Sequence, residues 1–244
     1  MSGLRRRAYV SLDAIALNAS RLLGGDAFGS ALADLRADAY GHGLTAVAST
    51  LLRHGIAGFV VSSQADHDSL TRLAETAGVG DRIVRIGQPT ARDAALTVLG
   101  PALYGLTSSP ELSPALRLVA EAVAVKSVSA GRGVSYGYTY RTASRTTLVL
   151  ACLGYADGIP RVASNTAPVL VGGTRARVTG RIAMDQFVVD VGQTAVDVGD
   201  EVVLFGDGHA GEPTALDWSQ ATGLRSEVIV AGLGPRIRRM YTNA

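Results

Sequence analysis

Several groups on which whole classes of function depend are scarce in this sequence. Its 244 residues hold one cysteine, Cys152, which excludes an internal disulfide and a cysteine zinc cluster. Against 22 arginines there is one lysine, Lys126, so chemistry that needs a neutral side-chain amine has one place to find it. The four histidines, His42, His54, His67 and His209, fit no zinc spacing such as HExxH, and no metal is expected. Asp66-His67-Asp68 stands where a helix begins, a place that favours acidic residues in any case. Long apolar runs are missing too. Behind the arginines of MSGLRRRAYVSLDAIAL the apolar stretch is interrupted by Ser11, Asp13 and Asn18, and no run of about 18 apolar residues follows, so a cytoplasmic protein without membrane contact is expected. With 23 basic and 21 acidic side chains the net charge is +2, which does not suggest nucleic acid as a partner.

A core is amply provided. Apolar residues make up 47% of the chain and charged ones 18%, a balance that argues against disorder. Two textures follow one another. Up to about residue 110, short apolar runs alternate with helix-like stretches. Ala8 to Leu12 predicts a strand and Asp13 the cap of a helix through Leu22; Ala31 to Leu35 and Gly58 to Ser62 predict buried strands. Helices are predicted from Leu44 to Leu52, from Asp66 to Ala77 and from Thr90 to Thr97, and further strands at Ile83 to Ile86 and Ala102 to Leu106. Such alternation implies parallel βα units. From about Val119 the runs VAVKSV, TLVLACL, APVLVGG, ARVTGRI, QFVVDV and DEVVLFG, separated by Gly, Pro and Asp turns, describe an antiparallel β domain. SSPELSP (Ser108 to Pro114) is the natural boundary, giving domains of 1–110 and 111–244, with the first N-terminal strand a candidate to join the second. Gly131-Arg132-Gly133 and Gly172-Gly173 suit turns better than phosphate cradles, and Cys152 lies in a strand-like run that suits the core.

Five segments carry more information: ADAYGHG (Ala37 to Gly43) after a buried strand, VSYG (Val134 to Gly137), GYADGIPR (Gly154 to Arg161), GRIAMDQ (Gly180 to Gln186) and RIRRMY (Arg236 to Tyr241). In this order they resemble the bacterial alanine racemase family, pyridoxal-phosphate enzymes built from a TIM-like barrel and a C-terminal β domain. The resemblance covers residues 5–65 and 100–241. It implies that Tyr136 is the catalytic acid/base, acting across a homodimer with shared sites. Tyr155, Met184 and Asp185 would line the substrate's carboxylate end, and Tyr40 and Tyr241 would stand near the cofactor phosphate. GPALYG (Gly100 to Gly105) resembles the family segment whose glycine lies beside that phosphate.

Three departures set the sequence apart from that pattern. The Schiff-base lysine position is Arg36, and a guanidinium stays protonated and offers no free amine. Lys126 belongs to the strand before VSYG rather than to the barrel mouth. Val98 stands where the family's arginine to the pyridine nitrogen would be. Finally, a complete βα barrel needs roughly 250 residues by itself, and the missing middle would have carried the histidine partner of the catalytic tyrosine. The fold expected is therefore α/β plus β: about half of a TIM-like βα barrel followed by an antiparallel β domain of the racemase type. The function expected first is a cofactor-independent isomerase, cyclase or lyase on a small anionic substrate. In it Tyr136 moves the proton, Arg36 anchors the anion, and Tyr40, Tyr155, Met184, Asp185 and Tyr241 line the pocket. Two alternatives stand beside it. One is a pyridoxal-phosphate-dependent amino-acid racemase whose cofactor is held non-covalently by Tyr40, Gly100 and Tyr241; the other is a non-catalytic ligand-binding or partner protein.

Overall fold

The computed structural model describes residues 5–25, 27–80, 83–87 and 95–242. They form two compact units. One comprises Val10–Ala115 together with the C-terminal residues from Tyr241; the other comprises the residues up to Tyr9 together with Leu116–Met240.

In the first unit a parallel sheet runs in the order β4-β3-β2-β5, from β2 (Ala31–Asp34), β3 (Gly58–Val61), β4 (Ile83–Ile86) and β5 (Thr97–Leu99). β2 and β3 are buried along their whole length, as expected for parallel strands covered on both faces. Three helices accompany them: α1 (Leu12–Leu23), α3 (Leu44–Arg53) and α4 (Gln64–Thr76). Between β2 and α3 lies α2 (Arg36–Tyr40), a single turn treated below. The cap of α1 is Ser11, whose hydroxyl accepts from the Ala14 N–H at 3.1 Å; Asp13 sits inside the first turn, where it favours the positive end of the helix. Leu12, Ile15 and Ala19 face the core, and Gly24 closes the helix in the left-handed conformation. Likewise α4 starts at Gln64 under a Ser63 cap, which places Asp66 in its first turn.

Besides the cap of α1, two expectations fail in this unit. Ala102 to Leu106 is not a strand: Pro101–Tyr104 forms a 3₁₀ turn with proline at its start and Gly105 as a left-handed cap. Proline pre-sets the helical φ there, and the apolar run behind it is buried without being extended. The last strand is instead Thr97–Leu99, so Thr97 belongs to a strand and not to the predicted helix, whose residues 90–94 lie outside the described residues.

The second unit is antiparallel. β6 (Leu116–Val128), β9 (Thr146–Ala151), β10 (Pro168–Val171), β11 (Thr174–Thr179), β12 (Phe187–Asp190) and β13 (Glu201–Phe205) follow the order β13-β10-β11-β12-β9-β6, and β13 also pairs with β6, closing a six-stranded barrel. Closure leaves these strands without raw edges. The long β6 also carries β1 (Arg6–Ser11) and, beyond it, β14 (Arg238–Thr242), while the short strands β7 (Gly133–Val134) and β8 (Tyr140–Arg141) pair, among the described residues, only with each other. Gly172 and Gly173, at φ 56° and 74°, make the two-residue hairpin between β10 and β11, the turn that requires positive φ at both positions. Trp218, fully buried, anchors α5 (Ala215–Thr222) by donating its indole N–H to Pro168 O at 2.8 Å and Leu204 O at 2.7 Å. Lys126 lies exposed on β6, opposite Leu148.

Candidate active site

In the α/β unit the site begins with a charge in an apolar strand. Asp34 is the last residue of β2 and only 2% exposed. A buried carboxylate must be paired, and Arg36, two residues on, folds back to do so. Its Nε donates to Oδ1 at 2.9 Å, its Nη2 to Oδ2 at 2.6 Å, and its backbone N–H to Oδ1 at 3.2 Å. Tyr40 adds a hydroxyl bond to Oδ2 at 2.8 Å, and the fully buried Tyr104 donates its hydroxyl to the Asp34 carbonyl at 2.7 Å. Burial alone would raise the Asp34 carboxyl, but the hydrogen bonds from Arg36 and Tyr40 outweigh it and hold it below its ordinary value. The same carboxylate raises Arg36 further above its already high value. Burial, then the bond to Asp34, pushes the Tyr40 phenol up to about 12.

The backbone after Arg36 is strained. Ala37, Asp38, Ala39 and Tyr40 all have φ between 52° and 57°, one turn of left-handed helix built from L-residues. Such a turn costs roughly 1–2 kcal/mol per residue and persists because it is tied at several points. Gly41 N–H donates to Ala37 O and Gly43 N–H to Asp38 O, both at 2.9 Å. The buried His42 places Nδ1 3.0 Å from the carbonyls of Ala39 and Tyr40. Asp38 accepts from Leu44 N–H at 2.7 Å, starting α3. Gly43, at φ 99°, has no room for a side chain: a Cβ would collide with the Tyr241 hydroxyl. Gly100 caps the 3₁₀ turn with open space where a Cβ would be, and Val98 is exposed on β5.

In the barrel unit Tyr136 follows Ser135, which is held at φ 58° with its hydroxyl bonded to Arg181 O at 2.6 Å. The Tyr136 phenol donates to Ile182 O at 3.1 Å and accepts from Arg161 Nη2 at 2.8 Å, while the Arg181 guanidinium lies 5.6 Å from its ring centre. Arg161 also covers the Tyr155 ring at 5.5 Å. Asp185 is bonded at 2.7 Å to Arg236, whose Nε grips the buried Asp157 at 2.9 Å; Met184 is exposed. Gly154 lets the 155–157 turn lie against the 183–184 backbone, where Tyr155 N–H donates to Ala183 O and Ala156 N–H to Met184 O.

Within the units, then, Arg36 joins Tyr40, and Tyr136, Tyr155 and Asp185 join a set of arginines. Reading the sequence did not single out Asp34, Tyr104, Arg161, Arg181 or Arg236 as site residues. The usable signals were the charge of Asp34 in the otherwise apolar run ALAD and the place of the other four inside the segments GPALYG, GYADGIPR, GRIAMDQ and RIRRMY.

A parallel α/β unit and a closed antiparallel barrel, each presenting tyrosines braced by charged partners, define a two-unit α/β plus β protein. The profile of the alanine racemase C-terminal domain matches residues 115–241, just over half of the chain. Alanine racemase of Streptomyces coelicolor is 46% identical over 188 residues, covering 71% of this chain and 48% of its own length. That of Frankia casuarinae is 51% identical over 58% of this chain and 39% of its own. For that of Thermobifida fusca the figures are 43%, 74% and 51%. Among solved structures, alanine racemase from D-cycloserine-producing Streptomyces lavendulae superposes with a TM-score of 0.82 at 28% identity, over 100% of this chain and 98% of that one. The Streptomyces coelicolor A3(2) enzyme gives 0.81 at 29% over 98% of each. The chain belongs to the alanine racemase family, and it spans about half the length of the curated relatives it matches.

Family membership corrects two expectations. The expectation of cofactor-independent isomerase, cyclase or lyase chemistry is overturned, because relatives at 43–51% identity are alanine racemases. The expectation of no cofactor falls with it, since this is the pyridoxal-phosphate family that the motifs resemble. The physical flaw lay in Arg36: the fork assigned to an anionic substrate is already engaged by Asp34.

Against pyridoxal phosphate the residues present divide. They do not fit covalent attachment, because position 36 carries an ion-paired guanidinium in place of an amine. They fit a cofactor held without a covalent bond: the Gly100 backbone stands open, and the Tyr241 hydroxyl sits over Gly43 beside the strained turn.

Proposed function

We propose that this chain acts as a pyridoxal-phosphate-dependent amino-acid racemase, with alanine as the first substrate to test and the cofactor held non-covalently. The observation that carries the reading is the Tyr136 phenol, fixed between Arg161 and the Ile182 carbonyl inside the segment matched by the family profile. Gly100 and Tyr241 would hold the phosphate. When bound, the cofactor supplies an electron sink that acidifies the proton at the amino acid's α-carbon.

The chain's own residues supply the rest. Tyr136 Oη holds a proton directed at Ile182 O, and rotation about the Cζ–Oη bond redirects it toward a substrate. Arg161, donating to that oxygen and covering the Tyr155 ring, orients both phenols. Asp185 and Asp157 together hold the Arg236 guanidinium in place.

The α/β unit is read as the first half of a barrel. Four parallel strands are described, and the superposition reaches across 98% of the Streptomyces lavendulae enzyme while sequence matches cover about half of the curated relatives. We therefore place the missing stretch inside the chain and expect two chains to associate to cover the open sheet. A small amino-acid substrate and a second copy of this chain are the partners proposed.

The test is direct. Purified protein is incubated with pyridoxal phosphate, desalted and scanned for the cofactor's visible absorbance, and alanine enantiomers are then followed by chiral chromatography against a cofactor-only blank. Retained cofactor with conversion above the blank is expected. Tyr136→Phe should abolish conversion, by about 10²-fold or more for a lost acid/base group, without reducing retention. Conversion no faster than the blank rejects the proposal.

A further inference from the structure

The replacement at position 36 does not stand alone. We propose that Asp34 is a positioning residue that clamps whatever cation stands at position 36, so that two residues rather than one separate this chain from an amine able to capture an aldehyde.

Three observations carry the inference. First, the pair is bidentate and local: both oxygens of Asp34 are engaged by Arg36 side-chain nitrogens at 2.9 and 2.6 Å, and one of them takes the Arg36 N–H as well. Such a fork fixes the side-chain direction as well as its charge. Second, the carboxylate is not free to turn away, because its side chain is 3% exposed and its Oδ2 also accepts from Tyr40. Third, the backbone on either side is immobilised. The Asp34 carbonyl receives the buried Tyr104 hydroxyl, and the left-handed turn from Ala37 begins directly after Arg36. A shorter, unbranched amine placed at position 36 would meet the same carboxylate two residues back along the strand. An opposite charge at that range favours the protonated amine, and a protonated amine is no nucleophile.

Asp34 is foreign to its own strand. β2 reads ALAD, its other three residues are apolar, and all four are buried. A carboxylate in that place is costly unless it is paired, so the partly exposed Arg36 offsets the cost of burying Asp34, and a neutral residue at position 36 would leave that carboxylate without its main partner. The inference rests on the proposed reading of position 36 as the cofactor-facing position, but its test does not require the cofactor.

The experiment compares Arg36→Lys with the pair Asp34→Asn, Arg36→Lys in reductive methylation by formaldehyde and cyanoborohydride near neutral pH. Modification at position 36 is followed by peptide mass spectrometry, and the exposed Lys126 serves as internal standard. The double variant should be methylated at least about tenfold faster at position 36 than the single one, the factor for one pKa unit. Equal rates overturn the proposal. Should Asp34→Asn not fold, Asp34→Val, apolar like its neighbours in β2, takes its place. A second measurement needs no introduced amine: phenylglyoxal should modify Arg36 several-fold faster in Asp34→Asn than in the unaltered protein, and an unchanged rate also overturns the proposal. Borohydride capture of pyridoxal phosphate by the double variant is run alongside. If the methylation rates separate but no cofactor is captured, the clamp stands and the reading of position 36 as cofactor-facing fails.

Discussion

At the scale of single residues, the phenols divide by what they touch. Tyr40 and Tyr140 each donate to a carboxylate at 2.8 Å, Asp34 for one and Asp190 for the other, and burial followed by that bond pushes each up to about 12. An unfolded tyrosine titrates near 10. Because the folded value is the higher one, the stability these bonds contribute is intact below about pH 10 and is lost as pH rises from there through 12. Asp34 works in the opposite direction: its carboxyl is held below the ordinary value, so its contribution is intact above about pH 4 and is lost on acidification below that. Spectrophotometric titration should show phenols ionising near pH 12, one vanishing in Tyr40→Phe and another in Tyr140→Phe. Both variants should also flatten the alkaline fall in thermal stability. If neither substitution removes a late-titrating phenol, the assigned hydrogen bonds are wrong.

At the scale of elements, one buried amide shows how a loop is held to a helix. Asn18, fully buried on α1, donates to Leu103 O at 3.1 Å and Ser113 O at 2.8 Å and accepts from Ser113 N–H at 2.9 Å. Gly105 belongs to the same packing, since a Cβ there would strike the Ser113 carbonyl. Asn18→Ala would leave three backbone groups short of a partner and should cost about 2–4 kcal/mol in urea unfolding. The nearby exposed Leu17→Ala should stay within about 0.5 kcal/mol. Comparable losses in the two variants would show that the staple carries no weight. Seen in sequence, Asn18 merely interrupted an apolar stretch, because a polar residue's long-range partners leave no local trace. Alternation of apolar runs was legible, and so was the turn at Gly172-Gly173, since both are consequences of local backbone geometry. The strand predicted at Ala102 to Leu106 was not, because burial makes a short helix and a strand look alike. Nor was the left-handed turn at Ala37–Tyr40, whose residues have nothing against the right-handed form and are held by bonds to Asp38, His42 and Leu44. In the candidate site, the motifs single out tyrosines but not the groups that brace them. Asp34 and the arginines around Tyr136 had to be found by distance.

At the scale of the whole molecule, the parallel sheet poses a problem of cover. Among the described residues its order ends at β4 on one side and β5 on the other, and each of these strands exposes a large apolar side chain, Ile86 and Val98. Parallel strands are stable when both faces and both edges are covered, and the barrel of the second unit shows the alternative solution, in which the strands close on themselves. The proposed association of two copies would supply that cover, and a site shared between subunits would require the same association. Light scattering at micromolar concentration should therefore give about twice the 25.2 kDa of one chain. Charge placed on an edge blocks strand addition, so Val98→Lys and Ile86→Lys, alone or together, should shift the mass toward a single chain and lower the thermal stability in a concentration-dependent way. Far-UV circular dichroism of the variants at matched concentration separates lost association from lost folding. A single-chain mass for the unaltered protein across the micromolar range would mean that the sheet is covered from within the chain, and the proposal of a shared, two-copy site would have to be abandoned.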